Sequence, residues 1–125
     1  MVGDLPLLAE LVIPADPEML AVCRTTLVGV GASLPLSDAA LDDLKLVLTE
    51  VCGEAMARCP GGTVGIEFRS SPDELEVTVV DAGAGSPAGA NGLEAPLLRQ
   101  LCSRIDVLPG SDGGTVVCFA QMLPA

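Results

Sequence analysis

No histidine, tyrosine or tryptophan occurs in this chain, and phenylalanine occurs only at Phe68 and Phe119. Without an imidazole the usual Cys/His zinc site is excluded, and the five cysteines (Cys23, Cys52, Cys59, Cys102, Cys118) include no CxxC pair. We read these cysteines as small buried hydrophobes in a reducing cytosol. Basic residues are also scarce: six Lys and Arg stand against 17 Asp and Glu, for a net charge of -11. Few rings and little positive charge leave neither the stacking platform nor the cationic surface that nucleic acids require, and anionic membranes are disfavoured equally. A partner with a basic surface is steered toward such a body, whereas a polyphosphate meets repulsion. There is no basic leader before an apolar run and no apolar segment of membrane length, so a cytoplasmic protein is expected.

What is present is aliphatic. Half of the residues are apolar, and with two aromatics the core must be built of Leu, Val and Ala. The length of 125 residues suits one domain, 1–125, with a core that needs no staples. Residues 7–13 read as a first strand stopped by Pro14. Asp16-Pro17-Glu18 supplies an N-cap, a proline at the first helical position and an early acid. The helix that follows aligns Leu20, Cys23, Leu27 and Val30, and Gly29-Val30-Gly31 is expected to fray it. Ser37 or Asp38 caps a second helix with a 3.6-residue stripe of Leu41, Leu44, Leu48, Val51, Cys52, Ala55 and Cys59, ended by Pro60-Gly61-Gly62. Strands follow at 64–69 and 75–80, then a helix from Leu93 or Pro96 to Ser103, then strands at 105–108 and 115–123. The order β-α-α-β-β-α-β-β predicts an α+β fold: a two-layer α/β sandwich with a mixed, mainly antiparallel sheet and helices on one face.

Two segments carry candidate chemistry. Leu75 to Val80 is an alternating strand that delivers Asp81, and Gly83 and Gly85 then leave the backbone open to a flat ligand. On the second helix Glu50 and Glu54 lie four apart, hence on one face. That pair has a plain alternative, in which Glu54 pairs with Arg58 one turn on and Glu50 is solvated.

Taken together, these elements resemble the GHKL ATPases (the Bergerat-fold, histidine kinase-like group), and in particular the anti-sigma-factor serine kinases. The resemblance rests on Glu50-Val51-Cys52-Gly53-Glu54 for a helical Glu-x-x-x-Asn and on Asp81-Ala82-Gly83-Ala84-Gly85 for Asp-x-Gly-x-Gly. It also rests on Gly92-Leu93-Glu94 for a Gly-x-Gly-Leu at a helix start and on Gly114-Thr115 opening the last strand. The resemblance implies that ATP or ADP with Mg²⁺ is the ligand. Asp81 would accept from the adenine amino group, Gly83 and Gly85 would admit the base, and Gly92 would begin the phosphate loop. Thr115 would bond around Asp81, Glu50 would act as general base, and residues 50, 81 and 115 would line a common hollow. Arg24 falls where the family's first helix carries an arginine, and the resemblance makes it a partner-binding residue.

Three departures fall on the chemistry. Glu54 replaces the Mg²⁺-binding Asn, although a carboxylate can ligate a hard cation and Glu54 stays the candidate metal ligand. Glu94 replaces a glycine where phosphate should be received, and two like charges about 4 Å apart cost on the order of 1 kcal/mol in water and more in a closed site. Only six residues, Ser86 to Asn91, separate Gly85 from Gly92, and none is basic, where the family has a longer lid. Phosphoryl transfer depends on positioning and charge neutralisation. The base-binding half therefore reads as intact and the phosphate half as impaired. The expectation is an anti-sigma-factor-like regulator that binds a sigma factor, an anti-anti-sigma (STAS) protein or both, with nucleotide binding weakened or lost and with a homodimer permitted. The alternative is an active ATP/Mg-dependent serine protein kinase that phosphorylates an anti-anti-sigma factor.

Overall fold

The computed structural model describes residues 4–81, 95–110 and 113–124. Its elements follow the expected order: β1 (Leu7–Pro14), a 3₁₀ turn (Pro17–Met19), α1 (Leu20–Gly31), α2 (Asp38–Arg58), β2 (Thr63–Ser70), β3 (Glu74–Asp81), α3 (Ala95–Leu101), β4 (Arg104–Pro109) and β5 (Thr115–Met122). Local chemistry sets the boundaries. Asp16 Oδ1 accepts from the Glu18 N–H at 3.0 Å and starts the 3₁₀ turn. Ser37, not Asp38, caps α2: its Oγ accepts from the Ala40 N–H at 3.0 Å. Beyond Arg58 the chain turns through Gly61, whose φ of +76° is a left-handed conformation that glycine adopts without a Cβ penalty.

The strands form one sheet in the order β1-β2-β3-β5-β4. Each neighbouring pair is antiparallel, so the sheet is antiparallel throughout its described residues rather than mixed. Short turns link β2 to β3 and β4 to β5, whereas β3 reaches β5 only after α3 and the edge strand β4. The register aligns the core face in rows. One row runs Ala9, Phe68, Val77, Phe119, Ile105, and the next runs Leu11, Ile66, Val79, Val117, Val107. The two aromatics therefore sit in one row, on either side of Val77, and both are fully buried.

The helices cover that face. α2 is the central one and buries Leu44, Val47, Leu48, Val51, Cys52, Ala55 and Met56. α1 adds Cys23, Leu27, Val30 and Gly31. The expected fraying at Gly29-Val30-Gly31 does not occur, and the helix continues through Gly31. Gly31 is there for close packing: a Cβ would lie 3.1 Å from Leu41 Cδ1 on α2. No helix among the described residues is long and apolar enough to cross a membrane.

The helix-free face is held by charge. Arg104 reaches Glu74 Oε2 at 3.1 Å, Glu76 Oε2 at 3.2 Å and Asp106 Oδ2 at 3.3 Å. Beneath this layer Glu76, Thr78, Cys118 and Ala120 are buried although no helix among the described residues covers them. The two layers predict different sensitivities. Phe119→Ala should cost about 3–5 kcal/mol. Val12→Ala, on the exposed face, should stay within about 0.5 kcal/mol. Urea unfolding of both variants measures the contrast.

Candidate functional site

The third core-face row breaks the apolar pattern. It runs Ile13, Val64, Asp81, Thr115, Pro109, so the register itself sets a carboxylate opposite the first residue of β5. Asp81 is only 1% exposed, and Thr115 is buried beside it. A buried carboxylate needs partners for its charge and its lone pairs. The Thr115 backbone N–H donates to Asp81 Oδ1 at 3.3 Å. Gly114 makes this approach possible, because a Cβ there would overlap the Asp81 carbonyl oxygen. The Gly-Thr pair thus acts through backbone and lack of side chain, with the Thr115 amide beside Asp81.

The charge is met by a residue not anticipated for this place. Arg58, in the last turn of α2, donates from Nε to Asp81 Oδ2 at 2.9 Å, and the two side chains are 4% and 0% exposed. The local pairing of Arg58 with Glu54 is therefore replaced by a long-range one that ties the end of α2 to the end of β3. The signal for it was the i, i+4, i+8 spacing of Glu50, Glu54 and Arg58 on one helix, which left the direction of the arginine undetermined. Cys59 sits next to the pair. Burial, and then the Asp81 charge, push its thiol up against the opposing pull of Arg58. Its Sγ donates to the Ala55 carbonyl at 3.1 Å, so this thiol stays protonated.

Glu50 lies elsewhere. It is exposed on α2 and lines a cleft of about 250 Å³ with Leu46, Thr49, Leu97, Leu98 and Leu101, between α2 and α3. Thr115 lines a different hollow, of about 270 Å³, with Val107, Leu108, Pro109, Gly110, Gly113 and Gly114. Asp81 and Thr115 are thus brought together, and Glu50 lines the cleft between α2 and α3. Glu54 is half-buried one turn beyond it. Gly83, Gly85 and Gly92, with Glu94 and the short lid, lie outside the described residues. Among the described residues no three His, Cys, Asp or Glu side chains converge on a point that could hold a metal ion.

Each Asp81 oxygen already accepts one N–H, and the carboxylate is buried. Arg24 has a different setting. Its guanidinium donates to Thr49 Oγ1 at 3.4 Å, and it lines a groove of about 540 Å³ between α1 and α2 with Thr25, Val28, Asp42, Lys45, Leu46 and Thr49. Val28 and Leu46 are exposed there.

Comparison with known proteins agrees with this architecture. The family described as histidine kinase-like ATPase domain matches residues 13–119. The serine-protein kinase RsbW of Bacillus subtilis (strain 168) is 35% identical over 78 residues, which cover 59% of this chain and 49% of that protein. RsbW of Bacillus pumilus (strain SAFR-032) is 33% identical over 82 residues, 61% of this chain and 51% of its own length. The chain therefore spans about half the length of the curated relatives it matches. A crystal structure of the RsbU and RsbW domains of Rv1364c from Mycobacterium tuberculosis superposes with a TM-score of 0.71 at 16% identity. It covers 94% of this chain and 34% of that one. At that identity the likeness is one of fold.

The ion pair makes a specific energetic demand. Removing one buried partner strands the other charge, so Arg58→Met and Asp81→Asn should each destabilise by about 3–5 kcal/mol. The double variant should cost clearly less than the sum, and a double-mutant cycle by chemical denaturation reads the difference.

Proposed function

This chain belongs to the family of histidine kinase-like ATPase domains, and from that premise we propose that it is an anti-sigma-factor-like regulator that works by protein binding. Its partners are a sigma factor, an anti-anti-sigma (STAS) protein or both, and its nucleotide binding is impaired. The observation that supports this reading is the Asp81 carboxylate, neutralised by Arg58 and closed to solvent. A base-reading acid in that state accepts from a ligand only at the cost of opening its surroundings, with its charge already met by Arg58. Each 1.4 kcal/mol of that cost is about tenfold in affinity.

The binding surface in this reading is the α1–α2 groove. It places Arg24 and Lys45, two of only six basic residues, beside the exposed Val28 and Leu46. Lys45 Nζ is 3.2 Å from Asp42 Oδ1, which leaves Arg24 as the cation of the groove without an ion pair among the described residues. Arginine beside apolar surface is a common anchor of protein interfaces. The remainder of the acidic body would draw in a basic partner.

The second reading is an active ATP/Mg-dependent serine kinase. It is favoured by the relatives, which are serine-protein kinases, and by Glu50, which remains exposed one turn from Glu54. In that case Glu50 would be the general base and Glu54 the metal ligand. ATP would bring the transferable phosphoryl group, and Mg²⁺ would neutralise its charge.

One experiment separates the two. The full chain is immobilised, exposed to native extract, and the captured proteins are identified. They are then incubated with radiolabelled MgATP. The proposal expects capture of a sigma factor or a STAS protein without label on a partner serine, and a loss of about thirtyfold in affinity for Arg24→Glu, the size of an interface hot spot near 2 kcal/mol. Labelled serine in a STAS partner would establish the kinase reading. Capture unaffected by Arg24→Glu would move the interface elsewhere.

A further inference from the structure

α1 and α2 are joined by a short connection and run antiparallel, and two contacts fix their register. Arg24 bonds to Thr49, and Gly31 packs on Leu41. In an antiparallel pair of helices the facing residue numbers sum to a near-constant value. That register sets Cys23 within one helical turn of Cys52 on the facing helix, each on the buried side of its helix and each fully shielded from solvent. We propose that Cys23 and Cys52 form a thiol pair that peroxide converts to a disulfide, stapling α1 to α2. The inference is independent of whether the chain binds nucleotide.

The two sulfurs are not equivalent. A hydrogen bond from the Cys52 thiol holds Cys23 below the usual thiol range, against the opposing effect of burial. The same contact, reinforced by burial, pushes Cys52 up. Cys23, on the short helix whose local opening uncovers it, is the nucleophile and Cys52, on the central helix, the resolving thiol. Cys59 and Cys102 donate instead to backbone carbonyls, and burial pushes both of their thiols up, as it does that of Cys118 on the opposite face of the sheet.

The chemistry balances with hydrogen peroxide as the two-electron oxidant. The Cys23 thiolate attacks one peroxide oxygen, the O–O bond breaks, and the departing hydroxide takes a proton to become water. This leaves Cys23 as a sulfenic acid. The Cys52 sulfur then attacks the Cys23 sulfur, the S–OH bond breaks, and the hydroxyl leaves as a second water with the Cys52 proton. Two thiols and one peroxide thereby give one disulfide and two waters. Because both thiols are shielded, the reaction proceeds through local opening of α1, a helix of 12 residues that buries only Cys23, Leu27, Val30 and Gly31. Once closed, the bond ties the helix that carries Arg24 to the helix that carries Glu50. It also restricts the unfolded chain, which raises the melting temperature.

Trypsin offers a direct test, because cleavage after the six basic residues places each of the five cysteines in a different peptide. The full chain is treated with hydrogen peroxide under native conditions, alkylated and digested. The expected result is loss of two of the five free thiols, a mass lower by two hydrogens, and a reducible link between peptides 1–24 and 46–58. Melting temperature should rise by several degrees and fall back on reduction. In Cys52→Ser, dimedone should trap a sulfenic acid on Cys23. Retention of all five thiols, a link between any other two peptides, sulfinic acid on Cys23 without a link, or no dimedone adduct in Cys52→Ser would overturn the assignment. Circular dichroism of Cys23→Ser and Cys52→Ser establishes that each variant is folded before it is compared.

Discussion

The ion pair between Arg58 and Asp81 is the interaction on which the architecture of the site depends. It lies at the joint of three elements: the last turn of α2 provides the cation, the last residue of β3 the anion, and the first residue of β5 a backbone N–H. Two nearly unexposed charges in such a place cost desolvation free energy that their attraction only partly offsets, so the pair contributes definition more than stability. What it defines is how the end of α2 sits on the end of the central strand β3.

The same constraint reconciles the fold with the altered sequence. The scaffold is that of a histidine kinase-like ATPase domain, with its sheet, its central helix and its Gly-Thr strand opening. The residues that depart from the pattern the sequence resembles, Glu54 on α2 and Glu94 outside the described residues, are ones that would handle charge. Scaffold and site chemistry depend on different physics. Burial of Leu, Val, Ala and two phenylalanines holds the fold, and none of it depends on a ligand. The outer surface of α1 and α2 carries the groove that contains Arg24.

Most of the fold could be read from the sequence because it rests on local chemistry and periodicity. The Asp16 and Ser37 caps, the apolar stripe of α2, the alternation in β3 and the turn at Gly61 are each decided within a few residues. The resemblance likewise led to Asp81 and to the Gly114-Thr115 contact beside it. Long-range features were not legible. Whether Arg58 reaches Glu54 or Asp81 depends on where β3 ends relative to α2, which no local pattern encodes. Gly31 reads as a helix breaker until Leu41 is packed against it. The antiparallel arrangement of the described strands depends on how β3, β4 and β5 are ordered, and the cleft that Glu50 lines depends on how α3 sits on α2.

The central claim concerns the electrostatic state of Asp81, and calorimetric titration of the full chain with MgATP and MgADP addresses it most directly. The account predicts no saturable heat with either nucleotide, or a Kd no tighter than about 1 mM, which corresponds to roughly 4 kcal/mol of binding free energy. Micromolar binding of either nucleotide that is lost in Asp81→Asn would contradict it, since Asp81 would then be reading a base in spite of Arg58.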